Sequence, residues 1–445
     1  MNSVAARFAL VLAFSVALPA AVPLATVGVA KAAEPRDWAA ENLDDLVALY
    51  QHFHRNPELS FAEKETSARV AEEWRKAGAE VTERVGGYGV VGLIKNGEGP
   101  TLMLRTDLDA LPVTEQTQLA YASTVLVKDA AGKEVGTMHA CGHDIHMTNI
   151  IGVARYLAAN KDRWQGTVML VGQPAEERGS GARAMLADGL FKRFPKPDFA
   201  LALHCDSSLA AGKVAFRAGY ALANVDSVDI IVRGRGGHGA FPHATIDPIV
   251  EAAHLIVDLQ SIISRELHPS EPAVITVGSI HAGTKHNIIP DECHLQLTVR
   301  SYTDKTRKHL LDGIARKAKA AAASAGAPEP TITLSDGTPA MFNDEKLVRR
   351  VAPVFERVLG KENVQDREPQ LGGEDFSEYG LAGVPIFMYW LGTVEPHRLA
   401  SFTERGLPSP SLHSAVYYPD PPETLKTGVA TMATAAMELL ARPKP

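Results

Sequence analysis

The strongest constraint on the fold is an alternation of short apolar runs with helix-period segments. Val90–Lys95, Thr101–Arg105, Thr167–Gly172 and Phe199–His204 are strand-length runs, too short for stable helices. Around them, residues 42–56 and 63–77, the stretch after His143 through Ile150, Ile151, Ala154 and Leu157, and Ala182–Asp188 read as helices. Gly189 stops the last of these. Short buried strands in this order need helices on both faces. The pattern predicts an α/β fold on a mixed, mostly parallel, helix-covered sheet.

The pattern changes near Gly219. Val225–Gly234 alternates as a strand, Ile246–Leu267 reads as one long amphipathic helix, and Val274–Ile280 and His294–Ser301 are strands. Asp304–Ala325 is a helix ended by Ala-Gly-Ala-Pro at 325–328, with a further strand at Thr331–Leu334. This order predicts an inserted α+β sandwich over residues 219–330, read as a lid and dimerisation domain. The chain then returns through a helix at Asn343–Leu359, a strand at Val384–Trp390 and a helix at Pro422–Leu440. Residues 33–218 and 331–445 are thus expected to form one metal-binding catalytic domain.

Residues 1–32 stand apart. Arg7 is followed by Phe8–Ala30 without a charge, and Ala30-Lys31-Ala32 offers small residues at a cleavage point. Pro19 and Pro23 interrupt the apolar run, which favours a cleaved signal peptide over a permanent anchor. The expectation is export to the periplasm or beyond, with no stable membrane insertion after cleavage. Losing Arg7 and Lys31 would move the formal charge from −7 to −9. No Lys/Arg run exceeds two residues, which argues against a nucleic-acid partner. Three cysteines, Cys141, Cys205 and Cys293, leave at least one thiol free, and no disulfide framework is expected.

Four candidate metal-binding side chains fall within His139-Ala-Cys-Gly-His-Asp-Ile-His146. Thiolate and imidazole suit zinc-like ions. Gln173-Pro-Ala-Glu-Glu177 follows a buried strand, where active sites of open α/β sheets form. Adjacent side chains point apart, so one Glu can ligate while the other takes a proton from water. Asp107 and Asp109 lie at another strand end, as ligands or as partners that orient ligands. His204 closes a strand and His413 lies in an irregular stretch; either alone would more often be structural. Gly372-Gly-Glu-Asp-Phe376 is a turn that shapes the pocket or caps a helix.

Together these segments resemble a known family. Residues 50–440 look like the amidohydrolase branch of the dinuclear metallopeptidases, which includes hippurate hydrolases, bacterial N-acyl-amino-acid amidohydrolases and plant auxin-conjugate hydrolases. The further motifs are His54-Arg-Asn-Pro-Glu-Leu-Ser60, Leu104-Arg-Thr-Asp-Leu-Asp-Ala-Leu-Pro112, Gly237-His-Gly-Ala-Phe-Pro-His243, Asn287-Ile-Ile-Pro-Asp291 and Leu412-His-Ser414. The resemblance implies two divalent ions per subunit, zinc first, with manganese, cobalt or nickel as alternatives. Cys141 would bridge them, with His143, Glu177, His204 and His413 completing the set. Glu176 would be the general base and Asp109 a partner behind the ligands. His238 would polarise the scissile carbonyl, often across a homodimer or higher homo-oligomer. Asn287 and Arg300 would face the substrate, an N-acyl amino acid or short peptide.

The sequence departs from the family pattern at Cys205-Asp206-Ser207, at Gly239 and in the insert Tyr121–Val135, which leaves pocket shape and substrate open. Three other readings compete. A metallo-carboxypeptidase or dipeptidase shares the chemistry. A non-catalytic binding protein would be expected to have lost a ligand or the base. A Cys141 thiol hydrolase does not explain Glu176, Glu177, His204 and His413 together.

Overall fold

The computed structural model describes residues 33–442 apart from 129–131 and 336, together with Met1 and Ala9. The leader assigned to residues 1–32 otherwise lies outside the described residues. Among the described residues, no helix is long and apolar enough to cross a membrane.

The central sheet is built from β1 (Glu80–Val85), β2 (Gly89–Asn96), β3 (Thr101–Asp107), β4 (Gly166–Gln173), β5 (Phe199–Ala210), β6 (Val214–Phe216), and two late strands, Val364–Asp366 and Ile386–Val394. Its order is β1-β2-β4-β3-β5, then Ile386–Val394, β6 and Val364–Asp366. β4, β3, β5 and Ile386–Val394 run parallel, while antiparallel pairings join β1 to β2, β2 to β4 and β6 to Ile386–Val394. The sheet is therefore mixed, with a parallel centre.

Strand periodicity separates two cores. In β3, Leu102 and Leu104 join one buried cluster and Met103 the other; β4 repeats this with Val168 and Leu170 against Met169 and Val171. Helices α1 (Leu43–Arg55), α2 (Lys64–Lys76), α3 (His143–Ala159) and the late helix Pro421–Leu439 cover the first face. Helix α4 (Gly181–Ala187) and Tyr379 cover the second. β3 and β4 bury both faces, which accounts for their continuous apolar reading.

A second sheet of four antiparallel strands comprises β7 (Asn224–Arg233), β8 (Val274–Ala282), β9 (Glu292–Ser301) and β10 (Thr331–Ser335), in the order β8-β9-β7-β10. Helices α5 (Pro248–Ser261) and α6 (Asp304–Ala325) pack on one face through Leu255, Leu259, Leu310 and Ile314. The strands and helices of this sheet span residues 224–335. Gly219–Leu222 pairs with Met341–Asn343, and Ala221, Leu222 and Met341 lie in the second core of the central sheet. Thr331–Ser335 is claimed by β7.

The helix expected over 246–267 is also shorter. It begins at Pro248, where the Asp247 carboxylate accepts from the backbone N of Ile249 and Val250, and gives way to a π-turn at Ile262–Glu266. Strand β5 runs past His204 to Ala210 because its pairing with Ile386–Val394 continues that far. All three cysteines are buried and free.

His54, near the end of α1, is buried between two carboxylates. Its Nδ1 lies 2.7 Å from Asp144 Oδ2 and its Nε2 3.1 Å from Glu115 Oε1. Burial alone would lower its pKa, but hydrogen bonds to Asp144 and Glu115 more than reverse this and lift it to about 9. The raised value means that the charged ring stabilises the fold fully below its ordinary pKa of 6.5, and that this contribution is lost as pH rises through about 9. The advantage of the wild type over His54→Gln in urea unfolding, up to about 3 kcal/mol, is expected to shrink across that window. A pH-independent gap would show that the imidazolium is not its source.

Candidate metal centre

The carboxyl ends of β3 and β4 deliver Asp107 and the Glu176–Glu177 turn, and the middle of the neighbouring β5 delivers His204. Helix α3 starts at His143 just behind them. Gly142 precedes it with φ +83°, and a Cβ there would lie 2.8 Å from Cys205 Sγ, so the loop carrying Cys141 packs closely on β5. His413 arrives from the loop before the last helix. It adopts φ +67°, and its backbone N donates to Ala140 O at 2.9 Å.

The five expected ligands converge. Cys141 Sγ lies 3.3 Å from His413 Nε2 and 3.6 Å from His204 Nε2. His143 Nε2 is 3.9 Å from Glu177 Oε1, and Glu177 Oε2 is 3.5 Å from His413 Nε2. Cys141 belongs to two triads whose donor atoms lie within 4.8 Å of one another, one with His143 and His204 and one with Glu177 and His413. That is the position a bridging ligand needs.

Two ring orientations are fixed from behind. His143 Nδ1 donates to the backbone O of Asp109 at 2.7 Å, and His204 Nδ1 to that of Cys205 at 2.9 Å. A carbonyl only accepts, so each ring carries its proton on Nδ1 and, when neutral, turns a lone pair on Nε2 toward the cluster. Asp109 holds the Glu pair: its carboxylate accepts from the backbone N of Glu176 and of Glu177, each at 3.1 Å, and from Ser60 Oγ at 2.6 Å.

Two observations fit divalent cations. His143 Nε2 and Glu177 Oε1 are buried and have no hydrogen-bond partner among the described residues. The acids are also crowded. Burial, Glu374 and Glu177 push Glu176 well up; burial and Asp109 raise Glu177 to about 7, although His143 opposes this. His143 is raised to about 10 against its own burial, chiefly by Asp107 and Asp109. Acids that cannot all ionise together are what bound cations stabilise. Burial and both glutamates also push the Cys141 thiol up, opposite to what a thiol nucleophile requires.

The histidine-rich segment divides. His146 spends both nitrogens within the protein: Nδ1 pairs with Asp107 Oδ1 at 2.7 Å, and Nε2 accepts from Cys205 N at 2.8 Å. Burial pushes His139 down to about 4, so it stays neutral, and it joins none of the donor triads.

Sequence reasoning missed a buried network beneath Glu176. The Arg105 guanidinium meets Asp107 at 2.8 Å, Glu374 at 2.9 Å, Asp375 at 3.0 Å and Gln173 Oε1 at 3.0 Å. Asp375 also accepts from Ala182 N at 3.0 Å in the first turn of α4. One arginine therefore joins the ends of β3 and β4 to the 372–376 turn. The available signal was an arginine inside an otherwise buried strand, which demands counter-charges.

A cavity of about 740 Å³ opens over the cluster, lined by Cys141, Glu176, Glu177, His204 and His413 and also by Arg300 of β9. His238 and Asn287 do not line it. They lie together on an exposed ribbon, Gly237–His238 paired with Ile288–Ile289, where Gly239 N donates to Asn287 O at 2.9 Å and the His238 ring packs 5.3 Å from Phe241.

Residues 103–418 match the model of peptidase family M20/M25/M40. The chain is 37% identical over 364 residues to thermostable carboxypeptidase 2 of Saccharolobus solfataricus, covering 81% of this chain and 87% of that one. It is 38% identical over 330 residues to a hippurate hydrolase of Campylobacter jejuni, covering 74% and 83%. A solved Bacillus subtilis structure, described as a dinuclear metal binding peptidase of the M20 family, superposes with TM-score 0.71 at 29% identity, over 89% of this chain and 98% of that one.

Proposed function

Because this chain belongs to peptidase family M20/M25/M40, and so is a metal-dependent amidohydrolase, we propose that it cleaves the amide bond of small N-acyl amino acids. The observation that carries this reading is one cavity that holds both the Cys141-centred donor cluster and the Arg300 guanidinium, a hydrolytic centre beside a partner for a carboxylate. Cys141, His143, Glu177, His204 and His413 would hold two divalent ions, with Cys141 shared. Thiolate and imidazole donors favour zinc and accept manganese, cobalt or nickel. The bound ions supply Lewis acidity toward water and the scissile carbonyl.

The remaining steps belong to this chain. Glu176, free of ligand duty, accepts the proton that water loses as its oxygen attacks the carbonyl carbon. It returns that proton to the amine nitrogen as the C–N bond breaks. Asp109 keeps the Glu176–Glu177 turn rigid through two backbone hydrogen bonds. Arg300 binds the substrate carboxylate. The exposed ribbon with His238 and Asn287 would complete the site across a homodimer, His238 of the partner subunit donating to the carbonyl oxygen.

The test is a panel of N-acetyl and N-benzoyl amino acids set beside dipeptides, with metal quantification on the purified protein. The expected result is amino-acid release from the acyl series, about two metal equivalents per subunit, and loss of activity on chelation. A panel in which no N-acyl amino acid is cleaved would sink the proposal. The similarity to a carboxypeptidase supports a second reading, cleavage of short peptides, and a preference for dipeptides would select it.

A further inference from the structure

The strand that carries His204 continues into Asp206, Ser207 and Ser208, which the hydrolytic reading leaves unused. All three line the cavity over the donor cluster. The Asp206 side chain is buried in the wall. Its Oδ1 accepts from the backbone N and the Oγ of Ser208, both at 2.7 Å, and its Oδ2 pairs with Arg367. Arg367 reaches the cavity from just beyond the edge strand Val364–Asp366. Its Nη2 donates to Ser208 Oγ at 3.2 Å, and the guanidinium lies 5.1 Å from the centre of the Trp390 ring.

The Arg367 side chain keeps 23% of its surface exposed, against 7% for Asp206. The carboxylate is thus consumed inside the wall, and the guanidinium is what the wall presents. A guanidinium held by a carboxylate and an aromatic face is preorganised and loses little rotamer freedom on binding. Arg178 and Arg300 line the same cavity. Outside the Glu176–Glu177 pair, three guanidiniums face a single carboxylate, Asp206, which is buried against Arg367.

We propose that the substrate carries a second anionic group bound by Arg367, which Asp206 orients. The class is an N-acyl amino acid with an additional carboxylate, on the side chain of the released amino acid or at the far end of the acyl group. This rests on the hydrolytic reading and narrows it: Arg300 takes one carboxylate and Arg367 the other.

Paired isosteres test it on the zinc-loaded enzyme. N-acetylglutamate against N-acetylglutamine probes the side-chain source; N-succinyl-leucine against its terminal amide probes the acyl source. One acid is expected to exceed its amide in kcat/KM by at least about tenfold, the low end for a charge-assisted hydrogen bond at a half-buried site. Arg367→Gln should bring that ratio close to one, Arg367→Lys should retain part of it, and Asp206→Asn should lower it. Equal rates for acid and amide in both pairs, or a preference that survives Arg367→Gln with metal content intact, would overturn the proposal. Failure of the hydrolytic reading looks different, since no panel member would be cleaved. Calorimetric titration of glutarate and its monoamide into the zinc-loaded protein then decides the anion site. Equal affinity overturns it, and a glutarate preference abolished by Arg367→Gln supports it.

Discussion

Glu176→Gln is expected to keep its metals and lose on the order of 10²- to 10⁴-fold in kcat. The side chain is 9% exposed and reaches the cavity, and its backbone N is pinned to Asp109 Oδ1. The amide nearly matches the carboxylate in shape but cannot take a proton from water. The substitution also removes one acid from a group in which Glu176, Glu374 and Asp375 place oxygens within 4.8 Å of one another, with Arg105 beside Glu374 and Asp375. Thermal stability should therefore hold or rise while turnover collapses, separating a chemical from a structural defect. Single-turnover kinetics with parallel metal analysis make the measurement, and near wild-type turnover would assign the base elsewhere.

His238→Ala is expected to cost on the order of 10²- to 10³-fold in kcat with metal content unchanged, the range for losing a donor to a developing oxyanion. Within one chain His238 is exposed and accepts from Ala240 N at 3.0 Å, outside the cavity. If it acts, it acts on a neighbouring subunit's site. Mixing inactive His238→Ala chains with inactive Glu176→Gln chains should then restore part of the activity, because one of the mixed dimer's two sites carries both intact residues. No recovery after demonstrated subunit exchange would confine His238 to its own chain or to no role.

The parts of the site that could be read from sequence are those whose chemistry is local. Cys141 and His143 share one loop, and Glu176 and Glu177 follow one buried strand; spacing and strand ends suffice to flag both. His204 and His413 are single histidines with no local signal, and only the resemblance drew them in. Local spacing also over-selected: His139 and His146 look as good as Cys141 until the fold fills His146 with Asp107 and the Cys205 amide. The Arg105 network is only half legible, since an arginine in a buried strand demands counter-charges without naming them. Its partners at 107, 173, 374 and 375 meet only once β3, β4 and the 372–376 turn are assembled. Gly219–Leu222 and Thr331–Ser335 are both strands, and pairing partners, not periodicity, decide that the first joins Met341–Asn343 and the second β7.

The contact between His413 and Cys141 spans 272 residues of chain. During synthesis, Cys141, His143, Glu177 and His204 all emerge long before His413 exists. A nascent chain therefore displays the Cys141, His143 and His204 triad and Glu177 before the Cys141, Glu177 and His413 triad can be completed. Metal captured at that stage sits in a half-built nest from which it can be lost or exchanged, and the thiol is open to oxidation. The triad that needs His413 cannot template the early stages of folding. Completion of that triad comes last, and its place in the order of events is written into where His413 lies along the polypeptide.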